Sequence, residues 1–345
     1  MKRTHLIASS LLVATTAAAG LTGTTAATAA DRDHGRAATY LLAGDPVDAA
    51  NPAGSKFEGI GADERRGRFY VSEVTGGELH RGIVPRKRTE NGVEVGTART
   101  REWLAGHGTD GRYTARGIAV DTKGRVYIAG GPNGIGDGGV DNGRPDLWVY
   151  NRKGRLLAAL QTPGNDVFLN DVAIGPDGAA YFTDSNDAQL FRVAKGRNGW
   201  KVRLWADATD RIARETGFNL GGITLTPDRK AFVVAQGNTG RLWRFALKTG
   251  KATPIRTGGA DLVDADGLVL QGSRLTVVRN FSRQVATLRL SADGRRAKLI
   301  RQRASSPDRV LTTAAELRGQ ILYVDSKFDE EIASGPYEVI ADPTR

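Results

Sequence analysis

Short apolar runs recur along the chain. Each is followed by a turn carrying Pro, Asp or Gly, and then by a second run richer in β-branched and aromatic residues. The copies read EGIGADERRGRFYVSE from Glu58, RGIAVDTKGRVYIAG from Arg116, NDVAIGPDGAAYFTDS from Asn170, GGITLTPDRKAFVVAQ from Gly221, DGLVLQGSRLTVVRN from Asp266 and TTAAELRGQILYVDS from Thr312. Successive copies start 58, 54, 51, 45 and 46 residues apart. Most continue into a third run, such as Leu147-Trp148-Val149-Tyr150 or Leu242-Trp243-Arg244-Phe245, and through turns such as Lys248-Thr249-Gly250 into a fourth. Four short strands in about 40–50 residues is the pattern of one propeller blade. A twisted four-stranded sheet that is apolar on both faces needs a neighbour on each side, and six closing a ring leave no face bare. The spacing therefore predicts an all-β, six-bladed propeller of four-stranded antiparallel blades around a central channel. Thr39-Tyr40-Leu41-Leu42 precedes the first copy and is expected to complete the last blade. A two-sheet sandwich would not repeat six times, and a β-helix has shorter coils.

Composition adds the compartment. Lys2 and Arg3, the apolar stretch from Leu6 to Val13, and Ala27-Thr28-Ala29 together form a secretory signal, so residues 1–30 are expected to be removed and residues 31–345 to form one propeller domain. No twin arginine is present, which points to the general secretion route. No segment reaches the roughly 18 apolar residues of a membrane span. The chain is expected to be secreted and monomeric. Its 40% hydrophobic and 25% charged residues exclude wholesale disorder. The formal charge of +11 becomes +9 once Lys2 and Arg3 are gone. Those charges are scattered, and Arg86-Lys87-Arg88 reads as a solvated loop, so no nucleic-acid partner is expected. With no cysteine, the core and its hydrogen bonds must hold the fold without disulfides.

In a propeller the first strand of each blade lines the channel, so the first residue of each copy comes to one mouth. Around the ring these are Glu58, Arg116, Asn170, Gly221, Asp266 and Thr312. Three readings are open. Converging carboxylate and amide oxygens suit a hard cation. Arg116 could instead neutralise Glu58 and Asp266 itself. Alternatively, all are turn residues satisfying backbone groups.

Asn170-Asp171 through Pro176-Asp177-Gly178 to Tyr181-Phe182-Thr183-Asp184 resembles the N-D-x-x-x-x-P-x-G-x-x-Y-F motif of the senescence marker protein / gluconolactonase / luciferin-regenerating enzyme family. Asp266-Gly267-Leu268 resembles that family's D-G-[ML] motif, and Glu58-Gly59 its opening Glu motif. The likeness spans residues 57 to about 328. It implies a small-molecule hydrolase of a lactone or related ester, with one divalent cation at the axial mouth: Ca²⁺ first, with Mg²⁺, Mn²⁺ or Zn²⁺ as alternatives. Carried over, Glu58 and Asp266 are metal ligands, Asp266 is also the general base, and Asn170 is the substrate-side amide, with Arg116 a further substrate contact. The ligand Asn of the family's N-G-[LI] stretch is Gly221 here, and Asn219 is its nearest replacement. The arginine that in the family often precedes the substrate-side Asn by two positions is replaced here by Phe168. A non-catalytic propeller binding a ligand or a protein through its rim loops is the alternative.

Other signals carry less. Gly134-x-Gly136-x-x-Gly139 has the spacing of a dinucleotide fingerprint but leads into a strand where a helix is required; a rim loop with Asp137 and Asp141, able to take a peripheral Ca²⁺, fits better. The four His, at 5, 34, 80 and 107, are too few for a His-rich redox centre. Trp148 and Trp243 are expected between blades. Asp184, Asp325 and Ser326 are expected to bind turn amides.

Overall fold

The computed structural model describes residues 39–49, 51–84, 98–133 and 142–344. The N-terminal signal, Arg86–Arg88 and the Gly134–Asp141 loop lie outside them. The described strands build six antiparallel blades. Blade 1 runs Phe57–Asp63, Arg68–Glu73, Leu79–Ile83 and Arg101–Leu104; blade 2 runs Ile118–Val120, Val126–Ala129, Leu147–Tyr150 and Leu156–Leu160. Blades 3 and 4 open with Leu169–Ile174 and Leu220–Leu225, blades 5 and 6 with Ala265–Gln271 and Leu311–Leu317. These first strands touch one another in cyclic order, the sixth returning to the first. Thr39–Leu42 pairs antiparallel with Tyr337–Ile340, Thr39 opposite Ile340, so the chain's first described strand is the fourth strand of its last blade. Ala98–Arg99 adds a short parallel edge to that sheet.

The core is divided among the interfaces. Tyr70, Ile128 and Trp148 pack between blades 1 and 2, and Tyr127, Phe182 and Phe191 between blades 2 and 3. Tyr181, Phe232 and Trp243 fill the next interface. Val233, Leu275 and Leu288 fill the fourth, and Val278, Leu311 and Tyr323 the fifth. Phe57, Phe69, Tyr40 and Val324 close the ring between blades 6 and 1. Each of the six clusters thus joins two sheets, which is why one blade could not stand alone. Trp148 is fully buried, and truncating it to Ala would cost about 4 kcal/mol. Trp148 and Trp243 are therefore interblade core, as the strand pattern predicts.

The first strands share an irregularity that positions the ring. In blade 1, Phe57 opposes Glu73 and Ile60 opposes Val71, so Glu58 and Gly59 together face Ser72 alone. The same two-against-one bulge falls at Asn170-Asp171, Gly221-Gly222, Asp266-Gly267 and Thr312-Thr313. A bulge bends its strand and re-aims side chains. In five blades the ring residue is thus the second residue of the first strand, inside the strand rather than just before it. Arg116, two residues ahead of Ile118, is the exception. The residue after the ring position is Gly in four copies, three of them at a bulge, for a steric reason. A Cβ on Gly59 would collide with the Arg116 carbonyl, and one on Gly222 with the Asp266 carbonyl.

Candidate functional site

Hydroxyl groups clamp the ring residues' backbone from blade to blade. Ser72 Oγ donates to the Arg116 carbonyl at 2.6 Å, Thr183 Oγ1 to the Gly221 carbonyl at 2.8 Å, and Thr312 Oγ1 to the Glu58 carbonyl at 3.0 Å. The Asn170 carbonyl accepts from Gly117 N at 2.8 Å. The mouth is therefore a rigid frame, and Thr312 spends its hydroxyl on that frame.

Of the side chains placed there by sequence, Glu58 and Arg116 are brought into contact: Arg116 Nη1 donates to Glu58 Oε2. The guanidinium also lies 4.6 Å over the Phe168 ring, so the residue standing where an arginine is common carries Arg116 as a cation–π platform. Burial pushes the Glu58 carboxyl above its ordinary range, against the lowering pull of Arg116. Asp266 meets a different partner, accepting from Asn280 Nδ2 at 2.9 Å. Its carboxyl is pushed well up, first by burial and then by the negative charge of Glu58. Asn170 is buried at the ring. Asn219 is buried too, 1% exposed, and neither atom of its amide has a hydrogen-bond partner. Gly221 contributes its carbonyl to the frame and no side chain.

Three neighbours of the ring have no role in the sequence reading. Asp171 stands where four other blades have Gly, and it reaches across to blade 4, accepting from Ile223 N at 3.0 Å as well as from Val172 N at 2.8 Å. Burial raises its carboxyl to about 7. Its one sequence signal was the break in the polar-then-Gly repeat. Phe168 was marked only as the place of a missing arginine, and Asn280, at the end of the fifth copy, gives no signal, because their contacts depend on strands crossing at the mouth. Asp184 behaves as expected and accepts from the backbone N–H of Phe168 and Asn186. Ser326 does too, its Oγ accepting from Phe328 N at 3.3 Å and donating to the Val310 carbonyl, whereas the Asp325 carboxylate pairs with Lys327 Nζ at 3.2 Å.

Two observations fit a hard divalent cation near this mouth: a buried Asn219 amide with both atoms unpartnered, and an Asp266 carboxyl whose direct partner is a neutral amide. One competes with it, because a guanidinium already sits on Glu58.

Fold and mouth together define a six-bladed propeller whose axial site is assembled one residue per blade. The chain belongs to the SMP-30/gluconolactonase/LRE-like family, whose sequence profile matches residues 57–307. Among solved structures it is similar to a gluconolactonase from Xanthomonas campestris, at 16% identity and a TM-score of 0.55, covering 84% of this chain and 86% of that one. It is also similar to the calcium-binding protein regucalcin from Agrobacterium tumefaciens, at 17% identity and a TM-score of 0.55, covering 89% and 97%. The allergen Mala s 1 of Malassezia sympodialis shares 15% identity and a TM-score of 0.59 over 82% of this chain and 91% of that one. Likeness at this level shows the fold. Comparison with curated protein sequences returns no match.

Proposed function

We propose that this chain is an exported, cation-dependent hydrolase of a lactone or related ester, working at the axial mouth. The observation that carries the reading is that the buried Glu58 and Asp266 carboxyls act on one another's charge in a propeller of the gluconolactonase-like family, with a buried, unpartnered Asn219 amide two residues before the fourth ring position. Glu58, Asp266 and Asn219 would hold the cation, which supplies polarisation of the substrate carbonyl and a lower pKa for water. Asp266, with a carboxyl pushed up and therefore more basic than an exposed aspartate, takes the proton as the water oxygen bonds to the carbonyl carbon. The ring C–O bond then breaks, and the same proton passes to the departing oxygen. Asn170 and Arg116 contact the substrate. Export rests on Lys2, Arg3, the apolar stretch and Ala27-Thr28-Ala29, and a small-molecule substrate on the family likeness.

The test is calorimetric titration with Ca²⁺, Mg²⁺, Mn²⁺ and Zn²⁺ beside a lactone and ester screen, comparing wild type with Asp266→Ala and Glu58→Ala. Binding and turnover lost in both variants support the proposal. A wild type with neither would favour the second reading, a ligand-binding propeller without chemistry, which the Arg116–Glu58 contact itself recommends.

A further inference from the structure

We propose a second metal site away from the axis: Asp45, Glu78 and His107 form a zinc site with its fourth position open to solvent. Their ligand atoms all lie within 4.8 Å of one another. His107 Nε2 is 2.8 Å from Asp45 Oδ2 and 3.0 Å from Glu78 Oε1. A protonated ring nitrogen has one hydrogen to give, yet two carboxylate oxygens converge on it. Glu78 is 5% exposed, and its other oxygen, Oε2, has no hydrogen-bond partner at all. Two carboxylate oxygens thus converge on one imidazole nitrogen, and a buried carboxylate oxygen beside them is left without a partner.

The site is built by the fold. Asp45 follows the strand that completes blade 6, Glu78 precedes the third strand of blade 1, and His107 lies in the connection from blade 1 to blade 2. Gly76 and Gly106 flank the Glu78 carboxylate, where a Cβ on either would collide with it. The Gly76 carbonyl accepts from His107 N at 2.8 Å, and Ser55 Oγ accepts from Asp45 N at 2.8 Å. His107 itself holds a left-handed backbone, φ 52°, which is uncommon outside glycine. With about 2.0–2.2 Å from zinc to nitrogen or oxygen, tetrahedral ligands stand about 3.3 Å apart. The observed 2.8 and 3.0 Å need open by only a few tenths of an ångström. One imidazole, two carboxylates and water form a zinc set, whereas Ca²⁺ asks for six to eight oxygens. His107 and Asp45 are 48% and 38% exposed on their side chains, which leaves an open side for the water and an entry path. The ion would tie the closing blade to blade 1 in a protein that has no disulfide to do so.

The test is titration of chelator-stripped protein with Zn²⁺, and with Co²⁺ read by its visible spectrum, comparing wild type with His107→Gln, Glu78→Gln and Asp266→Asn. His107 is half-exposed, so His107→Gln should fold normally, which its zinc-free melting midpoint checks. The expected result is zinc binding weakened at least 30-fold in His107→Gln and Glu78→Gln but kept in Asp266→Asn, with an intense four-coordinate Co²⁺ spectrum. Excess zinc should also raise the wild-type midpoint by roughly 5 °C and leave that of His107→Gln unmoved. Zinc binding that survives His107→Gln, binding lost only in Asp266→Asn, a weak six-coordinate Co²⁺ spectrum, or no binding by wild type would each overturn the assignment.

Discussion

Glu58 and Asp266 occupy the same repeat position in blades 1 and 5, and the ring neutralises them by different means. Glu58 is paired with a guanidinium, a cation that cannot discharge inside a protein. Asp266 is held by the neutral amide of Asn280 and pushed up by burial and by Glu58. One carboxylate thus has a permanent cation as its direct partner, opposing the effect of burial, and the other has only a neutral one. The same strand, bulge and burial give a structural acid on one side of the channel and a reactive one on the other, because the difference lies in the partner each residue meets.

The largest expected effect tests the reactive side. Asp266→Asn keeps an oxygen for Asn280 to donate to and removes the proton acceptor. Hydrolytic kcat/KM should fall about 10³-fold, while stability by urea titration changes by less than about 0.5 kcal/mol. An equal loss of stability would mean that Asp266 is as structural as its counterpart. The next tests the fixed side. Glu58→Gln leaves Arg116, 14% exposed, charged and unpaired, and should cost about 3 kcal/mol in unfolding free energy. A cost as small as that of Asp266→Asn would erase the distinction.

How the two sides differ was only half visible in the sequence. The blades, their closure by Thr39–Leu42 and the ring of first positions follow from residue pattern alone, because an apolar run and a turn act locally and repeat six times. Polar-then-Gly pairs such as Glu58-Gly59 and Asp266-Gly267 also mark the bulge, since the next blade's backbone leaves no room for a Cβ. Arg116 was an open choice between substrate contact and ion partner, and only the crossing of blades 1 and 2 shows it resting on Glu58 and Phe168. Asn280, 14 residues from Asp266 and on another strand, was not legible. Nor was the cluster of Asp45, Glu78 and His107, three loop residues with no spacing rule to join them.

Asp171 offers a third kind of acid, tied by backbone N–H groups to two successive blades. Its raised carboxyl, about 7 against 3.8 for an ordinary aspartate, means the folded protein holds that proton more tightly than the unfolded chain. The stabilisation is complete below about pH 4 and is lost as pH climbs through 7. Asp171 is partly open to solvent, so its share is about 2 kcal/mol rather than the full span of the shift. The slope of unfolding free energy between pH 4 and 8 should flatten by that amount in Asp171→Asn. An unchanged slope would show that its two backbone hydrogen bonds already satisfy the charge.

The smallest effect bears most directly on the comparison. If Arg116 and a divalent cation are rival answers to one negative charge, removing the arginine should favour the cation. In Arg116→Gln the Glu58 carboxyl keeps its burial and loses its partner. It can then take up a proton, so the fold suffers less than in Glu58→Gln. When a cation is offered, that same carboxylate is free to bind it, and affinity should rise about tenfold, or about 1.4 kcal/mol. Calorimetry on wild type and Arg116→Gln reads this directly. A tighter cation in the variant would mean that wild-type Arg116 must swing off Glu58 before catalysis, making it a gate on the metal. A cation bound more weakly would mean that Arg116 helps to hold Glu58 in place for it, and the two carboxylates would then be alike in serving the ion.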